Sequence, residues 1–516
     1  MSTKRTLEDE RQLLLRTRRD FIRQAACAAV GSVAITNQLR DFRFINSALA
    51  QSGSGITDYK ALVCVFLSGG NDCNNTVVPT GAGYGTYAAG RQFLAIPEPN
   101  LVPLTPLNSD GNTYGLHPNL NEFGTLFHEQ KLAVLFNSGP LVYPMTQDQY
   151  KKNLVTRPPQ LFSHSDQVTH WQTSLPDQPA NSGWGGRLAR EMFLDMTASQ
   201  RTASQISLCT SIAGQNTLEI SDTLGINLDI GEPAANIAKL KQYHVSTGGA
   251  VVLNGVTGNR KTAMLNIANL TSANLQEGAY GDVLDRAIGL GDTLNTAIAP
   301  TRDTGTTPPW SWTVPFPNTS IGNQLKMAAR LIAARGPLAM KRQIFFTSVG
   351  GYDTHTNQVG NTANPVGTPN APLFGSHANL MNELSEAVFA FQRAIEQIAA
   401  SAALGVDSTL VNGVTGFTAS DFGRTFPMNG QGSDHGWGSH HFIFGGAVRG
   451  QRTYGNFPIL AVNGPNDTST GRWIPTTSVD EYSATLAKWF GLSAADQSIV
   501  FPNVGRFANP NLGFMT

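Results

Sequence analysis

The sequence predicts an α/β fold built around a mostly parallel central sheet. Several continuous apolar runs end in glycine, and the clearest is "ALVCVFL" at residues 61–67, followed by Ser68-Gly69-Gly70. Continuous apolar runs are typical of strands that are buried on both faces, as in parallel sheets. Segments with helical periodicity alternate with these runs, and acidic or histidine residues follow them. Open α/β sheets carry their functional residues at that position, just past the carboxyl ends of strands.

The elements follow one another in an order typical of βαβ units. After the first run, "LNEFGTLFHEQK" is predicted to be helical and "LAVLFNSG" to be a second buried strand. In the second half, an amphipathic helix over "IGNQLKMAARLIAARG" should stop at Gly336, and "QIFFTSV" should be a buried strand. A long helix over "SHANLMNELSEAVFAFQRAIEQIAAS", with Ser376 as its N-cap, leads to the strand "GVTGFTAS". This alternation predicts parallel strands joined by helical crossovers.

One stretch departs from this pattern. Residues from about 195 to 320 contain "STGGAVVLNGVTGN" and "APTRDTGTTPPWSW", which are rich in turn residues. We predict that they form an insertion or cap, with irregular structure and some helix, within one domain that spans residues 51–516.

The amino terminus predicts export. Arg18 and Arg19 precede a short Ala-rich apolar stretch, and small residues at Ala48 and Ala50 form a plausible cleavage site. This pattern resembles a twin-arginine signal peptide over residues 1–50, which implies the export machinery as a partner and a periplasmic or secreted mature protein. The alternative is an ordinary amphipathic helix of a cytosolic enzyme. No other segment reaches 18 apolar residues, so we expect no membrane span in the mature protein.

Composition excludes some classes of function. Charged residues make up 14% of the chain and the formal net charge is zero, so we expect no nucleic-acid partner. After removal of the signal peptide the cysteines would be Cys64, Cys73 and Cys209. An odd count without a C-x-x-C motif predicts neither a disulfide scaffold nor a structural zinc site.

Candidate metal ligands follow three of the predicted strands. Asp72 follows the first strand, and Asp353 with His355 follows "QIFFTSV". The third group lies in "SDFGRTFPMNGQGSDHGWGSHH" and consists of Asp421, Asp434, His435, His440 and His441, with Arg424 beside them. Carboxylate oxygens mixed with imidazole nitrogens suit zinc, manganese or iron better than calcium. The joint occurrence therefore predicts a metal site at the carboxyl edge of the sheet.

Three motifs carry a family resemblance. The segments "LSGGNDCNNTVVP", "SVGGYDTHTNQ" and "SDFGRT…GSDHGWGSHHFIFGGAVRG" resemble the DUF1501 family of twin-arginine-exported bacterial proteins, which is grouped with the alkaline-phosphatase-like superfamily. The resemblance extends over essentially the whole mature chain. It implies a three-layer α/β sandwich with a metal-carrying crevice.

The resemblance also implies a ligand set. Asp72 matches the Asp that follows the first strand, and Asp421 matches the Asp of a later strand. Asp353 and His355 match an Asp–His pair for a second metal, although their spacing is shorter than usual. The final His should precede a strand, where His440 or His441 precedes "FIF". Together these residues predict one or two divalent ions, zinc or manganese.

The sequence departs from the superfamily after Asp421. A His is expected there, and Phe422 stands in its place. Asp434 and His435 could restore the pair from the loop, or one metal could be missing.

The nucleophile should be a hydroxyl residue at a helix start. In "QLFSHSDQVTHWQT" we choose Ser163 first and Ser165 second, since a helix N-terminus favours an anion such as phosphate. The alternative is that Ser163 only caps the helix.

Arg424 offers a bidentate fork for the non-bridging oxygens of a substrate, with an ion pair to a nearby Asp as the alternative. The sequence thus predicts an exported metal-dependent hydrolase of a small anionic substrate, a phosphate or sulfate ester. The sequence leaves two other functions open: an exported binding or assembly protein on a degenerate hydrolase fold, and a metal-dependent isomerase or phosphotransferase, which resembles the hydrolase at the level of ligands.

Overall fold

The computed structural model describes residues 55–222, 232–248, 259–268, 278, 281, 289–302 and 310–516. The predicted signal peptide, residues 1–50, lies outside them. The described residues within 57–193 and 199–516 belong to one compact unit, which carries the candidate site. Within the described ranges no helix combines the length and the apolarity that a membrane crossing requires.

Nine of the described strands form the main sheet, and three form a small antiparallel sheet. The main sheet has the order β11-β5-β10-β9-β1-β8-β6-β7, with β12 also paired to β5. The strands are β1 Lys60–Leu67, β2 Val77–Thr80, β3 Val102–Leu104, β4 Thr113–Leu116, β5 Leu132–Gly139, β6 Cys209–Ser211, β7 Tyr243–His244, β8 Arg342–Val349, β9 Val414–Ser420, β10 Ser439–Gly445, β11 Thr453–Tyr454 and β12 Thr477–Ser478. The pairings β9–β1–β8–β6–β7 are parallel and β10 is antiparallel to both of its neighbours. The predicted α/β class with a mostly parallel sheet is therefore confirmed.

Helices pack on both faces of the main sheet. The described α-helices are α1 Cys73–Thr76, α2 Tyr84–Arg91, α3 Asn121–His128, α4 Gln147–Lys152, α5 His164–Thr173, α6 Trp184–Asp195, α7 Ala198–Ala203, α8 Ala234–Ile237, α9 Asn259–Ala268, α10 Ser320–Ala333, α11 Ser376–Ala400, α12 Leu410–Gly413, α13 Val479–Phe490 and α14 Gln497–Val500. On one face, Phe123 of α3 packs edge-to-face on Phe442 of β10, with ring centroids 4.8 Å apart. On the other face, Tyr482 of α13 packs on Phe417 of β9 with centroids 5.9 Å apart. Burial of both faces explains why the central strands are continuous apolar runs.

The carboxyl ends of the three central strands are level. Leu67 at the end of β1 pairs with Val349 of β8 and with Ser420 of β9. The segments that begin with Gly69, Tyr352 and Asp421 therefore leave the sheet side by side. The predicted convergence at this edge follows directly from the strand register.

Part of the predicted insertion belongs to the main sheet. β6 pairs with β8 in parallel, and β7 pairs with β6. Both strands are too short to show a periodic pattern in the sequence, which is why residues 195–320 resembled a cap. The remaining described parts of this span combine helices with irregular segments, such as residues 212–222 and 310–319.

Three local details differ from the sequence-based expectations. The helix predicted to stop at Gly336 ends at Ala333. The N-cap of α11 is Gly375, with φ of 102°, and Ser376 is the first helical residue. Cys64, Cys73 and Cys209 are buried free thiols, consistent with the expected lack of a disulfide scaffold.

Candidate metal centre

Three imidazole nitrogens surround the carboxylate of Asp353, just past the end of β8. Asp353 Oδ1 lies 3.2 Å from His355 Nε2, 3.4 Å from His435 Nε2 and 3.5 Å from His164 Nε2. The donor atoms of His164, Asp353 and His435 all lie within 4.8 Å of one another. We call these four residues, His164, Asp353, His355 and His435, the metal centre.

His164 is oriented by Asp421. Its Nδ1 lies 2.7 Å from Asp421 Oδ2, so the ring donates its Nδ1 hydrogen to the carboxylate. The other carboxylate oxygen, Oδ1, accepts a hydrogen bond from the backbone N–H of Gly69 at 3.0 Å. Asp421 is 1% exposed and contacts His164 at Nδ1, the ring nitrogen that does not face Asp353. It is a supporting residue and does not face the centre as the expected ligand would.

His355 and His435 are oriented in the same way. His355 Nδ1 donates to Asp434 Oδ1 at 3.0 Å, and Asn429 Nδ2 donates to the same oxygen at 2.9 Å. His435 Nδ1 donates to the carbonyl oxygen of Phe162 at 2.7 Å. Phe162 has a φ of 74°, an unusual conformation for a bulky residue, which turns its carbonyl towards His435. Asp434 therefore supports a histidine, as Asp421 does.

These partners determine which nitrogen of each imidazole carries the hydrogen. With Nδ1 as the donor in all three rings, each neutral ring presents an Nε2 lone pair to Asp353. His355 Nε2 and His435 Nε2 lie 2.8 Å apart, where two lone pairs repel unless a cation lies between them, either a proton that the two nitrogens share or a metal ion. Burial lowers the pKa of His435, the hydrogen bond to the Phe162 carbonyl opposes this shift, and the charge of Arg424 lowers the pKa further. His164 Nε2 is buried and has no hydrogen-bond partner in the described part of the chain.

The spacing fits a metal ion. A tetrahedral ion bound at 2.0–2.1 Å holds its ligand atoms about 3.3–3.4 Å apart. The three distances around Asp353 Oδ1 are close to this value, whereas His355 Nε2 and His435 Nε2, 2.8 Å apart, would have to separate to bind one ion together. Carboxylates or a carbonyl behind each histidine are the usual support for metal-ligating imidazoles. The side chains of Asp353 and His355 are 48% and 40% exposed, so the centre opens to solvent on their side.

Arg424 adds a positive charge beneath the centre. Its Nη2 donates to Asp353 Oδ1 at 2.5 Å and to the carbonyl oxygen of Tyr352 at 3.1 Å. Burial raises the pKa of Asp353, but the hydrogen bond and the charge of Arg424 bring it below its usual value. Arg424 is 1% exposed, so the ion pair is its observed role. Its Nε and Nη1 are buried without a protein partner among the described residues.

Phe422 forms an aromatic wall of the centre. Its ring centroid lies 4.8 Å from that of His164 and 4.7 Å from that of His435. The residue that replaces the expected His therefore packs against two of the histidines. His435 supplies a nitrogen from the loop instead, as the sequence left open.

Asp72 lies outside the metal centre. It is fully buried, and its Oδ2 accepts hydrogen bonds from Arg91 Nη2 and Gln358 Nε2. Its Oδ1 caps the short helix α1 through the N–H of Asn74. These contacts neutralise Asp72 within the core, so we leave it out of the ligand set that the sequence predicted.

His440 and His441 also lie outside the centre. Both belong to β10, where they are buried, rather than to the loop before it. His440 Nδ1 accepts from the N–H of Asn137 at 3.0 Å, and the His441 ring packs 4.7 Å from Trp171. Burial lowers the pKa of each to about 3, so both are neutral core residues. The pattern "SHHFIF" could not show that the strand begins at Ser439.

The segment predicted to supply a nucleophile also supplies a residue of the candidate centre. Ser163 is the N-cap residue of α5, but its Oγ donates to Asp166 Oδ2 at 2.5 Å and caps no backbone N–H. Ser165 is exposed, with its Oγ 3.3 Å from that of Ser163. His164, between them, is the one residue of the centre that the sequence analysis missed. The sequence did contain an indication, because His164 lies at the predicted helix start between the two candidate serines.

Comparison with known proteins gives a partial match. Residues 301–498 match the family model described as "Protein of unknown function (DUF1501)", which supports the resemblance to that family. No curated protein matches the chain. The "Crystal structure of Ps i-CgsB" is similar at 10% identity over 88% of this chain and 78% of that chain, with a TM-score of 0.33. The same protein "in complex with k-i-k-neocarrahexaose" is similar at 11% identity, with the same coverage and a TM-score of 0.31.

Proposed function

We propose that this protein is an exported, metal-dependent hydrolase of phosphate or sulfate esters. The observation that carries the proposal is the convergence of three Nε2 lone pairs on the Asp353 carboxylate. Such a set of donors needs a cation, and the open side of the centre gives a substrate access to it. The proposal also includes twin-arginine export and an alkaline-phosphatase-like fold, both of which rest on the sequence motifs.

The four residues of the metal centre would hold a single divalent ion, zinc or manganese. When bound, such an ion stabilises negative charge on an ester oxygen and lowers the pKa of a coordinated water. Asp421, Asp434 and the Phe162 carbonyl keep the three imidazoles in one tautomer. Arg424 holds Asp353 in its ionised form and fixes the position of its Oδ1.

Ser163 remains the proposed nucleophile. It precedes His164 directly in the chain, and its hydroxyl donates to Asp166. As Ser163 Oγ attacks phosphorus or sulfur, Asp166 can accept its proton, the bond to the ester oxygen breaks, and the alcohol leaves and takes a proton from water. Ser165 Oγ lies 3.3 Å from the same carboxylate oxygen and is the second choice. The Ser163→Ala variant should retain metal and lose most of its esterase activity, and Ser165→Ala should retain activity.

A second function is favoured by one observation. Four protein ligands can fill a tetrahedral site, as they do in structural zinc sites, and Asp72 is neutralised by Arg91 instead of holding a second ion. This arrangement supports the alternative of an exported binding or assembly protein whose metal only stabilises the fold.

Metal content and hydrolysis measured on one preparation test the proposal. The mature protein, treated with chelator and reloaded, should contain about one equivalent of zinc or manganese and hydrolyse an aryl phosphate or aryl sulfate. His164→Ala should lose both. The matched control is His128→Asn, since His128 lies in α3 and contacts Thr105 and Gly124 instead of the centre.

The possible results separate the two functions. Metal without hydrolysis of either ester would favour the binding protein. Wild-type metal content in His164→Ala would show that the proposed ligand set is wrong.

A further inference from the structure

Arg472 lies beside the metal centre with part of its charge unused. Its Nε donates to the backbone carbonyl oxygen of His435 at 2.8 Å. Its guanidinium lies over the ring of Phe162, with Cζ 4.1 Å from the centroid. Phe162 in turn accepts the hydrogen bond from His435 Nδ1. The guanidinium is thus fixed to the two segments that build one side of the centre.

The outer nitrogens of this guanidinium are free. Nη1 and Nη2 of Arg472 have no hydrogen-bond or ion-pair partner among the residues that the structure describes. The residue is partly exposed, so its two free NH₂ groups are accessible to a ligand. A guanidinium that is held by Nε and by stacking keeps a flat, pre-oriented pair of donors for an oxyanion.

The other arginine of the site cannot take this role easily. Arg424 is buried, and its Nη2 is engaged by Asp353 and the Tyr352 carbonyl. Arg424 thereby neutralises Asp353, one of the three carboxylates of the site. A divalent ion would balance the remaining two, Asp421 and Asp434. Arg472 is then not needed to balance a carboxylate of the centre, and the nearby Asp467 accepts from the backbone N–H groups of Asn463 and Arg472 without an ion pair to the guanidinium among the described residues. An anionic ligand can therefore bind the free side of the guanidinium.

We propose that Arg472 is the residue that binds the non-bridging oxygens of a tetrahedral phosphate or sulfate group at the metal centre. This inference rests on the proposed function for the identity of the substrate, since it assigns the subsite for the charged group of the ester. It replaces Arg424, which the sequence motif had suggested for that contact.

Phosphate binding tests the inference without any assay of activity. Titration of inorganic phosphate into zinc-loaded protein, followed by calorimetry, should show binding that weakens at least about tenfold in Arg472→Met, because a charge-assisted pair of hydrogen bonds is lost. Arg472→Lys keeps the charge without the fork and should fall between the two. The zinc content of both variants should equal that of the wild type.

The control is Arg335→Met. Arg335 also stacks on an aromatic ring, Tyr59, but it does so at the opposite edge of the sheet, before β1 begins. Its phosphate affinity should be unchanged. If esters are hydrolysed, Arg472→Met should raise KM for an aryl phosphate by at least about tenfold, with a smaller effect on kcat.

The outcomes keep the two proposals apart. Equal phosphate affinity in Arg472→Met and the wild type, or no phosphate binding by the zinc-loaded wild type, would overturn the role of Arg472 even if the esters are hydrolysed. Weakened phosphate binding in a protein that hydrolyses neither ester would support the subsite and refute the hydrolase. If Arg472→Met loses zinc, the comparison rests on Arg472→Lys, and wild-type phosphate affinity there would also overturn the proposal.

Discussion

Each histidine of the metal centre has one nitrogen committed and one available. The committed partners are Asp421, Asp434 and the Phe162 carbonyl. Asp421 and Asp434, which the sequence suggested as metal ligands, thus hydrogen-bond to histidines of the centre instead of facing it themselves. The sequence alone could identify the types of residue in the site, because Asp and His together at the ends of buried strands are typical of metal sites. It could not tell which residues face the centre and which hold the histidines in place, because the folded loops decide which partner each imidazole Nδ1–H reaches.

Asp421→Asn should change the hydrogen position on His164. The N–H of Gly69 requires an oxygen at the Oδ1 position, so the amide NH₂ of Asn would face His164 Nδ1. His164 would then accept at Nδ1 and carry its hydrogen on Nε2, where it blocks a metal. We expect metal affinity to fall by about 10–100-fold in a titration against a competing chelator.

The control for this change is Asp166→Asn. Asp166 lies in the first turn of the same helix and bonds Ser163 and Ser165 rather than an imidazole of the centre. Its metal affinity should stay within about threefold of wild type. An unchanged affinity in Asp421→Asn would argue against a supporting role for this carboxylate.

At the scale of elements, the strand ends position the centre. The sequence predicted the long strands and helices, because their apolar runs and helical periodicity are strong local signals. It missed β6 and β7, which are too short to show a pattern, and the start of β10, because pairing with β5 and β9 decides where that strand begins. Pairing of this kind joins residues far apart in the chain and leaves no local signal.

Gly69 allows the segments after β1 and β8 to approach each other. It has a φ of 114°, and a Cβ at this position would lie 2.4 Å from the backbone nitrogen of Asp353. Gly69→Ala should therefore lower the free energy of unfolding by about 2 kcal/mol or more and weaken metal binding, because Asp353 and the Asp421 hydrogen bond both shift. Urea unfolding and chelator titration measure the two effects.

Gly85→Ala provides the comparison. Gly85 lies in α2, and a Cβ there would meet nothing within 4 Å. Alanine should leave the free energy of unfolding equal to wild type or raise it by up to about 1 kcal/mol, with metal affinity unchanged. If Gly69→Ala and Gly85→Ala have the same free energy of unfolding, the close contact between Gly69 and the Asp353 backbone does not matter for stability.

At the scale of the whole molecule, buried carboxyl groups make the stability depend on pH. Burial raises the pKa of Glu219 from 4.5 to about 7, although hydrogen bonds from Asn216 and Gln242 oppose the shift. Burial also raises the pKa of Asp480 to about 7. A raised pKa in the folded state contributes stability that is complete below the unfolded pKa and is lost as pH rises through the folded value.

The contribution of Glu219 to the free energy of unfolding should therefore fall between about pH 4.5 and pH 7, whereas the buried His440 and His441, whose pKa is lowered to about 3, contribute stability that grows with pH up to the unfolded histidine pKa near 6.5. Relative to Glu219→Gln, the free energy of unfolding of the wild type should fall by up to about 3 kcal/mol across this interval, as measured by urea unfolding at equal metal loading. Glu386→Gln, at an exposed position of α11, should leave the profile unchanged. Parallel profiles for Glu219→Gln and wild type would contradict a raised pKa at Glu219.

The position of a bound ion tests the central claim most directly. Crystals of the zinc-loaded mature protein, measured on both sides of the zinc absorption edge, should show an anomalous peak among His164 Nε2, His355 Nε2, His435 Nε2 and Asp353 Oδ1, at about 2.0–2.2 Å from each. A peak bound instead by Asp72, His440 or His441, or crystals of loaded protein without a peak at the centre, would contradict the account.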